Sequence, residues 1–105
     1  MAGKVIAFRL TDRDALRLLA KIATDSNRIV FTDHALAQMR KRRISPLQVI
    51  NCLRKGAVTE SPCLDFKGFW KLTIERFVAG EAIGCGVSID MSTPKAIVIT
   101  AFWVK

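Results

Sequence analysis

The sequence is poor in the residues that build disulfide frameworks and metal sites. It contains three cysteines, one histidine and no tyrosine, and nine acidic residues stand against 17 basic ones. Three widely spaced cysteines argue against a disulfide framework and against a zinc site, which normally needs four ligands at paired spacings. We therefore predict no metal and no cofactor. Cys52 and Cys85 stand among apolar residues, where we expect small buried thiols.

Long hydrophobic runs are also absent. No stretch approaches the ~18 apolar residues of a membrane span, and charged residues at positions 9 and 12–14 interrupt any apolar run near the N-terminus that could serve as a secretory signal. We expect a cytoplasmic chain with reduced thiols and no membrane partner. Because half of its 105 residues are hydrophobic, residues 1–105 should form a single domain with one core.

Positive charge predominates among the ionisable residues of the sequence. The formal net charge of +8 favours a polyanionic partner such as RNA, DNA, an acidic protein segment or an anionic membrane surface. The alternative is a basic soluble protein without such a partner, because net charge alone does not define a site.

The clearest helix signals lie between residues 31 and 56. Thr32 can accept a hydrogen bond from a free N–H of the first turn, and Asp33 places negative charge at the positive end of the helix dipole. A helix is therefore predicted from Asp33 to about Arg42. At about 100° per residue, this helix has an apolar and a polar face. Ala35, Leu36 and Met39 share the first face, and His34, Gln38 and Lys41 share the second.

Two further helices are predicted. Ser45 and Gln48 match a capping box, Pro46 fits the first helical position, and Gly56 is predicted to end this helix in the left-handed conformation. An earlier helix is predicted from residue 11 to about residue 24, since Thr-x-x-Asp at its start is an acidic capping box.

After the third helix, the hydrophobic period changes from helical to alternating. Residues 57–65 contain Pro62 and are predicted to form an edge strand. Further strands are predicted at residues 70–75, 83–89 and 96–104, and the short turns between them require antiparallel neighbours. The predicted fold class is therefore α+β, with N-terminal helices followed by a four-stranded antiparallel sheet.

His34 is the only imidazole. It lies in the first turn of its helix, where the dipole disfavours imidazolium, so we predict a neutral side chain near pH 7 that can accept a proton. The alternative is a structural histidine that bonds a backbone carbonyl or packs under the sheet.

The densest basic run is Arg40-Lys41-Arg42-Arg43. On a helix these side chains fan around the axis, so only two or three of them can face one polyanion. Guanidinium groups bind phosphates and can stabilise a phosphorane-like transition state. The alternative is a solvated helix end whose cations complement the negative pole of the dipole.

Arg76 continues the apolar row of Trp70, Leu72 and Ile74 by alternation, whereas Lys71 falls on the other face of the same strand. A cation in an apolar row needs a partner or lies at the rim of the sheet. An ion pair is the structural alternative for Arg76.

Several of these residues form a motif. It reads Phe31-Thr32-x-His34-Ala35, then Met39, then Arg42-Arg43-Ile44-Ser45, with Gly56 beyond and a weaker match through Gly68, Glu75-Arg76 and Val98-Ile99-Thr100. Over about residues 30–102, the sequence resembles a small bacterial domain-of-unknown-function family of the RelE/ParE toxin superfamily. The resemblance implies a compact toxin fold of helices and antiparallel sheet, often a ribonuclease that a partner antitoxin neutralises.

The resemblance leads to a first hypothesis, a metal-independent endoribonuclease. His34 would assist attack by the RNA 2′-hydroxyl on the adjacent phosphate, and Arg76 would be the second catalytic residue. In toxin folds of this kind, arginines and lysines of the sheet commonly face the RNA. The RNA contacts would be Arg40, Lys41, Arg43 and Lys71.

The second hypothesis is a non-catalytic basic module. It would bind RNA, the ribosome or an acidic protein partner through the same basic residues. One departure from the toxin pattern favours it: the chain has no tyrosine, and Phe102 and Trp103 stand where an aromatic hydroxyl is expected.

Overall fold

The computed structural model describes residues 9–104, which form three α-helices and one five-stranded mixed sheet. None of the helices in this range is both long and apolar enough to cross a bilayer. The strand order is β1-β5-β4-β3-β2. The helices are α1 (Asp12–Ile22), α2 (Asp33–Arg42) and α3 (Pro46–Lys55), and the strands are β1 (Ile29–Phe31), β2 (Ala57–Leu64), β3 (Trp70–Val78), β4 (Glu81–Asp90) and β5 (Lys95–Val104).

The predicted caps begin all three helices. The Oγ1 atoms of Thr11 and Thr32 each accept a hydrogen bond, at 3.1 and 3.0 Å, from the N–H three residues further on. Ser45 and Gln48 form both halves of a capping box, at 3.1 and 2.8 Å. The helix starts therefore follow from local hydrogen bonding that satisfies free N–H groups of the first turn.

The left-handed residue lies at a different helix end from the one predicted. Arg43 ends α2 with φ 57°, whereas Gly56 ends α3 with φ −77°, so the predicted conformation of Gly56 is wrong. Glycine is needed there for space instead. A Cβ atom on Gly56 would lie 2.4 Å from Ile74 Cγ2 and 2.5 Å from the carbonyl oxygen of Cys52.

The sheet has five strands, one more than predicted. Strands β2 to β5 pair antiparallel in chain order, with β2 at the edge, and the α+β class is confirmed. The number four is wrong, because β1 pairs in parallel with β5, with Ile29 opposite Ala96 and Phe31 opposite Val98. A three-residue strand is too short to show an alternating pattern in the sequence, and its partner is distant along the chain.

The three helices pack against one face of the sheet. Leu19, Met39 and Leu53, one from each helix, share a core with Ile74 of β3 and Val98 of β5. Because successive side chains of a strand point to opposite faces, the intervening polar residues of β3 lie on the face away from the helices. In β4, Cys85, Val87 and Ile89 lie in the same core and Ile83 packs against it.

Candidate functional site

Helix α2 lies along the edge of β5 beyond β1 and is bonded to that strand at both ends. At its start, Thr32 donates from its N–H to the carbonyl of Val98 at 3.1 Å and from Oγ1 to the carbonyl of Ile99 at 3.3 Å. At its end, Arg42 Nη1 donates to the carbonyl of Ala101 at 2.7 Å. The helix therefore runs in the same direction as β5, and its last turn lies near the C-terminal end of that strand.

The last turn of α2 and its cap present three exposed cations, Arg40, Lys41 and Arg43, here called the basic end of α2. Within residues 9–104, none of these three side chains forms an ion pair. Arg42 differs from its neighbours, because its guanidinium is bonded to β5. All four members of the basic run are therefore exposed, and of these four Arg42 alone, within the described part of the chain, holds the helix to the sheet.

A cleft of about 320 Å³ opens between α3 and the β3–β4 hairpin, here called the α3–β4 cleft. Arg76 is half-buried in it and lies in one cross-strand row with Ile83 and Trp103. Since adjacent strands are about 4.8 Å apart, the backbones of Arg76 and Trp103 are separated by about 10 Å. The cleft is lined by Gln48 and Asn51 of α3, Arg76 of β3, Glu81 and Ile83 of β4, and Trp103 of β5.

Trp103 joins the α3–β4 cleft to the basic end of α2. Its Nε1–H donates to the carbonyl of Arg42 at 2.7 Å, and its side chain lines the cleft. Cations from α2 and from β3 therefore share one end of the sheet, although they are more than thirty positions apart in the sequence.

His34 lies at the opposite end of α2. It is exposed at the second helical position and, among the described residues, makes no hydrogen bond, so the carbonyl contact of the structural alternative is not formed. At 1.5 Å per residue, about 9 Å of helix separates it from Arg40 and about 12 Å from Arg42. Arg76 lies two strands further away from β5. The structure therefore does not bring His34 and Arg76 together, and the catalytic role of His34 stays a prediction.

Lys71 is exposed on the sheet face away from the helices. Its cross-strand neighbour there is Ser88, which in turn pairs with Ile97. Residues 71 and 76 of one strand point to opposite faces, so Lys71 is separated by the sheet from the α3–β4 cleft. Its RNA contact also stays a prediction, and it would need a ligand that reaches both faces.

Two buried thiols lie behind the cleft, as the sequence predicts. Cys85 Sγ donates to Cys52 Sγ at 3.9 Å, and Cys52 Sγ in turn donates to the carbonyl oxygens of Ile74 and Ile83, each at 3.6 Å. The hydrogen bond from Cys85 lowers the pKa of Cys52, and the positive charge of Arg76 adds to this. The same hydrogen bond, together with burial, raises the pKa of Cys85 well above its usual value.

Comparison of the sequence with known protein families gives a match. Residues 31–103 match the family described as "Domain of unknown function (DUF4258)", a range that holds α2, α3, the basic end of α2 and the cleft. The chain belongs to the DUF4258 family. No curated protein and no solved structure is significantly similar to it. The predicted membership of a domain-of-unknown-function family is thus confirmed, and the relation to RelE/ParE toxins stays a prediction.

The cleft of this DUF4258 domain includes polar residues that sequence reasoning missed. The sequence pattern places Gln48 and Asn51 on the predicted third helix and Glu81 between two predicted strands, and it does not indicate that they share a site. The two-residue turn Ala79-Gly80, with φ of 52° and 83°, is the signal that could have found Glu81. Such a turn sets the register of a hairpin, so it places Glu81 opposite Val78 at the mouth of the cleft.

The α3–β4 cleft of this DUF4258 domain contains positive charge and hydrogen-bond donors. Arg76 supplies a guanidinium, Gln48 and Asn51 supply amides, and Glu81 supplies a carboxylate acceptor. Within residues 9–104, no three His, Cys, Asp or Glu side chains are close enough together to hold a metal ion. An arrangement of this kind suits a phosphodiester and the base attached to it.

Proposed function

We propose that this DUF4258 domain is a toxin-like protein that interacts with RNA. Single-stranded RNA would bind where the basic end of α2 meets the α3–β4 cleft. The observation that carries the proposal is the hydrogen bond from Trp103 to the carbonyl of Arg42, because it makes one surface of exposed cations and a cleft that contains an arginine and an aromatic ring. The resemblance of the helical motif to RelE/ParE toxins supports the same partner.

The electrostatics of the surface also support it. Lys and Arg side chains that neutralise phosphates release counterions, which gives single-stranded RNA a log–log salt slope of about −0.7 per contact. The basic end of α2 is available for such contacts, since no acidic side chain of the described residues pairs with it. Bases that follow the backbone into the cleft can stack on an aromatic ring, as is common in sequence-tolerant binding.

Fluorescence polarisation of a labelled single-stranded RNA, titrated at several salt concentrations, tests the proposal. Replacing Arg40, Lys41 and Arg43 together by Ala should make the slope shallower by about 2. The matched control replaces Arg13, Arg17 and Lys21, three exposed cations of α1, and removes the same charge from another surface. Equal losses in the two triple variants would mean that net charge, and no particular site, attracts RNA.

A second candidate function is RNA cleavage without a metal. It is favoured by the position of Arg76, which shares the cleft with the amides of Gln48 and Asn51, since preorganised donors of this kind stabilise the charge that develops on a phosphorane. The substrate would supply its own 2′-hydroxyl nucleophile. Cleavage of labelled RNA in EDTA that Arg76→Ala abolishes, and that Arg54→Ala on the exposed side of α3 leaves intact, would support it. RNA that stays intact under these conditions would exclude cleavage, and RNA binding would remain as the proposed function.

The toxin resemblance also suggests two natural partners, the ribosome as the source of RNA and an antitoxin with an acidic segment. Either would cover the basic end of α2. An acidic peptide that competes with RNA for the wild-type domain, but not for the variant lacking Arg40, Lys41 and Arg43, would show that protein and RNA use the same surface.

A further inference from the structure

We propose that Cys52 and Cys85 are a redox modification site, which a small hydroperoxide converts into a disulfide between α3 and β4. This inference does not depend on RNA binding. It concerns two side chains that the proposed RNA surface does not use, although they lie directly behind that surface.

The geometry of the two thiols supports the pairing. Cys52 projects from α3 and Cys85 from the strand below it, and both are fully buried. Their sulfur atoms lie 3.9 Å apart, whereas a disulfide bond is about 2.05 Å long. Formation of the bond therefore requires an approach of about 2 Å, and no other side chain has to leave the space between the two sulfurs, which already contact each other.

The surroundings differ for the two sulfurs and assign them different roles. The hydrogen bond that Cys52 accepts from Cys85, and to a smaller extent the charge of Arg76, lower the pKa of Cys52, although its burial opposes this. The same hydrogen bond and burial raise the pKa of Cys85. Since the thiolate is the nucleophile in cysteine chemistry, Cys52 is the sulfur that attacks the oxidant and Cys85 is the resolving thiol.

The α3–β4 cleft provides the approach for the oxidant. Asn51, which precedes Cys52, and Ile83, whose carbonyl oxygen lies 3.6 Å from Cys52 Sγ, both line the cleft. Arg76 also lines it. Residues next to Cys52 in the sequence and in space thus form part of the cleft wall, so under this proposal hydrogen peroxide reaches the buried thiol from the cleft.

The reaction balances in two steps. The thiolate of Cys52 attacks one oxygen of hydrogen peroxide, the O–O bond breaks, Cys52 becomes a sulfenic acid and hydroxide leaves. Cys85 then gives up its proton and its sulfur attacks the sulfenic sulfur, so the S–S bond forms, the S–OH bond breaks and the hydroxyl group leaves with that proton as water. The hydroxide of the first step takes up the proton that Cys52 lost when it ionised. The two cysteines together lose two electrons, and the peroxide is reduced to two molecules of water.

The disulfide would fix α3 to the sheet behind the cleft. It closes a loop between residues that are 33 positions apart, and cross-links of that length usually raise the melting temperature of a small domain, here by on the order of 10 °C.

Peptide mapping of the Cys63→Ser protein tests the inference. Cys63 is exposed and would otherwise react first. After treatment with hydrogen peroxide and alkylation under denaturing, non-reducing conditions, we expect a peptide pair joined through Cys52 and Cys85 that a thiol reductant separates, together with the higher melting temperature. Full alkylation of both cysteines after peroxide, or oxidation of Cys52 to sulfinic acid without a cross-link, would overturn it.

Two further variants, also made in the Cys63→Ser protein, test the assigned roles. Cys85→Ala removes the resolving thiol, so a sulfenic acid should accumulate on Cys52 and react with dimedone; its absence would contradict the order of attack. Arg76→Gln should slow oxidation about three- to tenfold, because the thiolate fraction of Cys52 falls. Arg54→Gln, an exposed cation of the same helix, should leave the rate unchanged, and equal slowing in both would refute the role of Arg76.

Discussion

The two ends of α2 are bonded to the same strand and present different chemistry. At the first end, Thr32 caps the helix and bonds to β5, and His34 stands in solvent. At the other end, Arg42 is bonded to Ala101 and to Trp103, two residues of β5, and the exposed cations adjoin a cleft. The histidine and the basic run are neighbours in the sequence, yet the helix holds them about 9–12 Å apart along its axis.

The difference shows which end has the features of a binding surface. A helical wheel assigns a residue to a face of a helix, but it does not say which other elements meet the helix at each end. The first end meets β5 and, through Thr32, a cleft that Lys71 also lines, whereas the last turn meets β5 and, through Trp103, the row that contains Arg76. Polar groups from three elements converge there, as they do in most ligand sites.

Among the substitutions that test the difference between the two ends of α2, Trp103→Ala should have the largest effect. It removes a half-buried aromatic side chain and the donor to Arg42, and we expect a loss of about 2–3 kcal/mol in the free energy of unfolding, below the 3–5 kcal/mol of a fully buried aromatic. Urea denaturation measures it. Trp103→Phe keeps an aromatic ring but loses the N–H and part of the indole, so it should cost less than half as much. Equal losses would mean that the hydrogen bond, and not packing, fastens the end of α2.

Arg42→Ala should have the next largest effect. It removes a hydrogen bond between a charged group and a partly buried carbonyl, which is worth about 1.5 kcal/mol. Arg40→Ala removes the same charge two residues earlier from an exposed position and should change stability by less than about 0.5 kcal/mol. RNA affinity should show the reverse order, with the larger loss in Arg40→Ala. A stability ranking of Arg40 above Arg42 would contradict the assignment of Arg42, although it is exposed like its neighbours, as the residue of the basic run that is bonded to β5.

These differences also show what the sequence could and could not predict. The helix starts at Thr11, Thr32 and Ser45 depend on side chains within three residues of one another, and such local hydrogen bonds are visible in a single sequence. The parallel pairing of β1 with β5 joins residues about 67 positions apart, and three residues carry no periodic signal for it. The helices and the antiparallel strands were therefore predictable, and the fifth strand was not.

The candidate site depends even more on distant pairing. Arg76 was singled out because it interrupts an apolar row, but its neighbours could not be known without the register that places Ile83 and Trp103 beside it. The helix ends show a related limit. Glycine is the usual left-handed residue, yet Arg43 takes that conformation, and Gly56 is required by a close approach of Ile74 and of backbone carbonyls.

Thr32→Ala tests the first end of α2 in the way that Arg42→Ala tests the last. The hydroxyl caps the helix and donates to the carbonyl of Ile99, and loss of a cap costs about 1 kcal/mol. Thr32→Ser keeps both hydrogen bonds and should retain most of that stability. RNA affinity should be unchanged in both variants under folding conditions. A loss of affinity in Thr32→Ala without loss of folded protein would show that the binding surface extends to the first end.

His34→Ala should have the smallest effect. The side chain is exposed and makes no hydrogen bond among the described residues, so its removal should change the free energy of unfolding by less than about 0.5 kcal/mol. RNA binding should persist, since the phosphate contacts come from arginine and lysine. His34→Gln, which keeps a polar side chain without a titratable proton, separates loss of shape from loss of proton transfer.

The rate of RNA cleavage by the His34 variants tests whether His34 is catalytic. A general acid or base contributes about 10²–10⁴ to a rate, but it must lie within hydrogen-bond reach of the reacting group. If RNA reacts in the α3–β4 cleft, His34 lies too far away, and both His34 variants should cleave at the wild-type rate. A fall of 10²–10⁴ in both, with binding and melting temperature unchanged, would move the reacting phosphate to the first end of α2. The basic end and the cleft would then hold the RNA away from the bond that breaks.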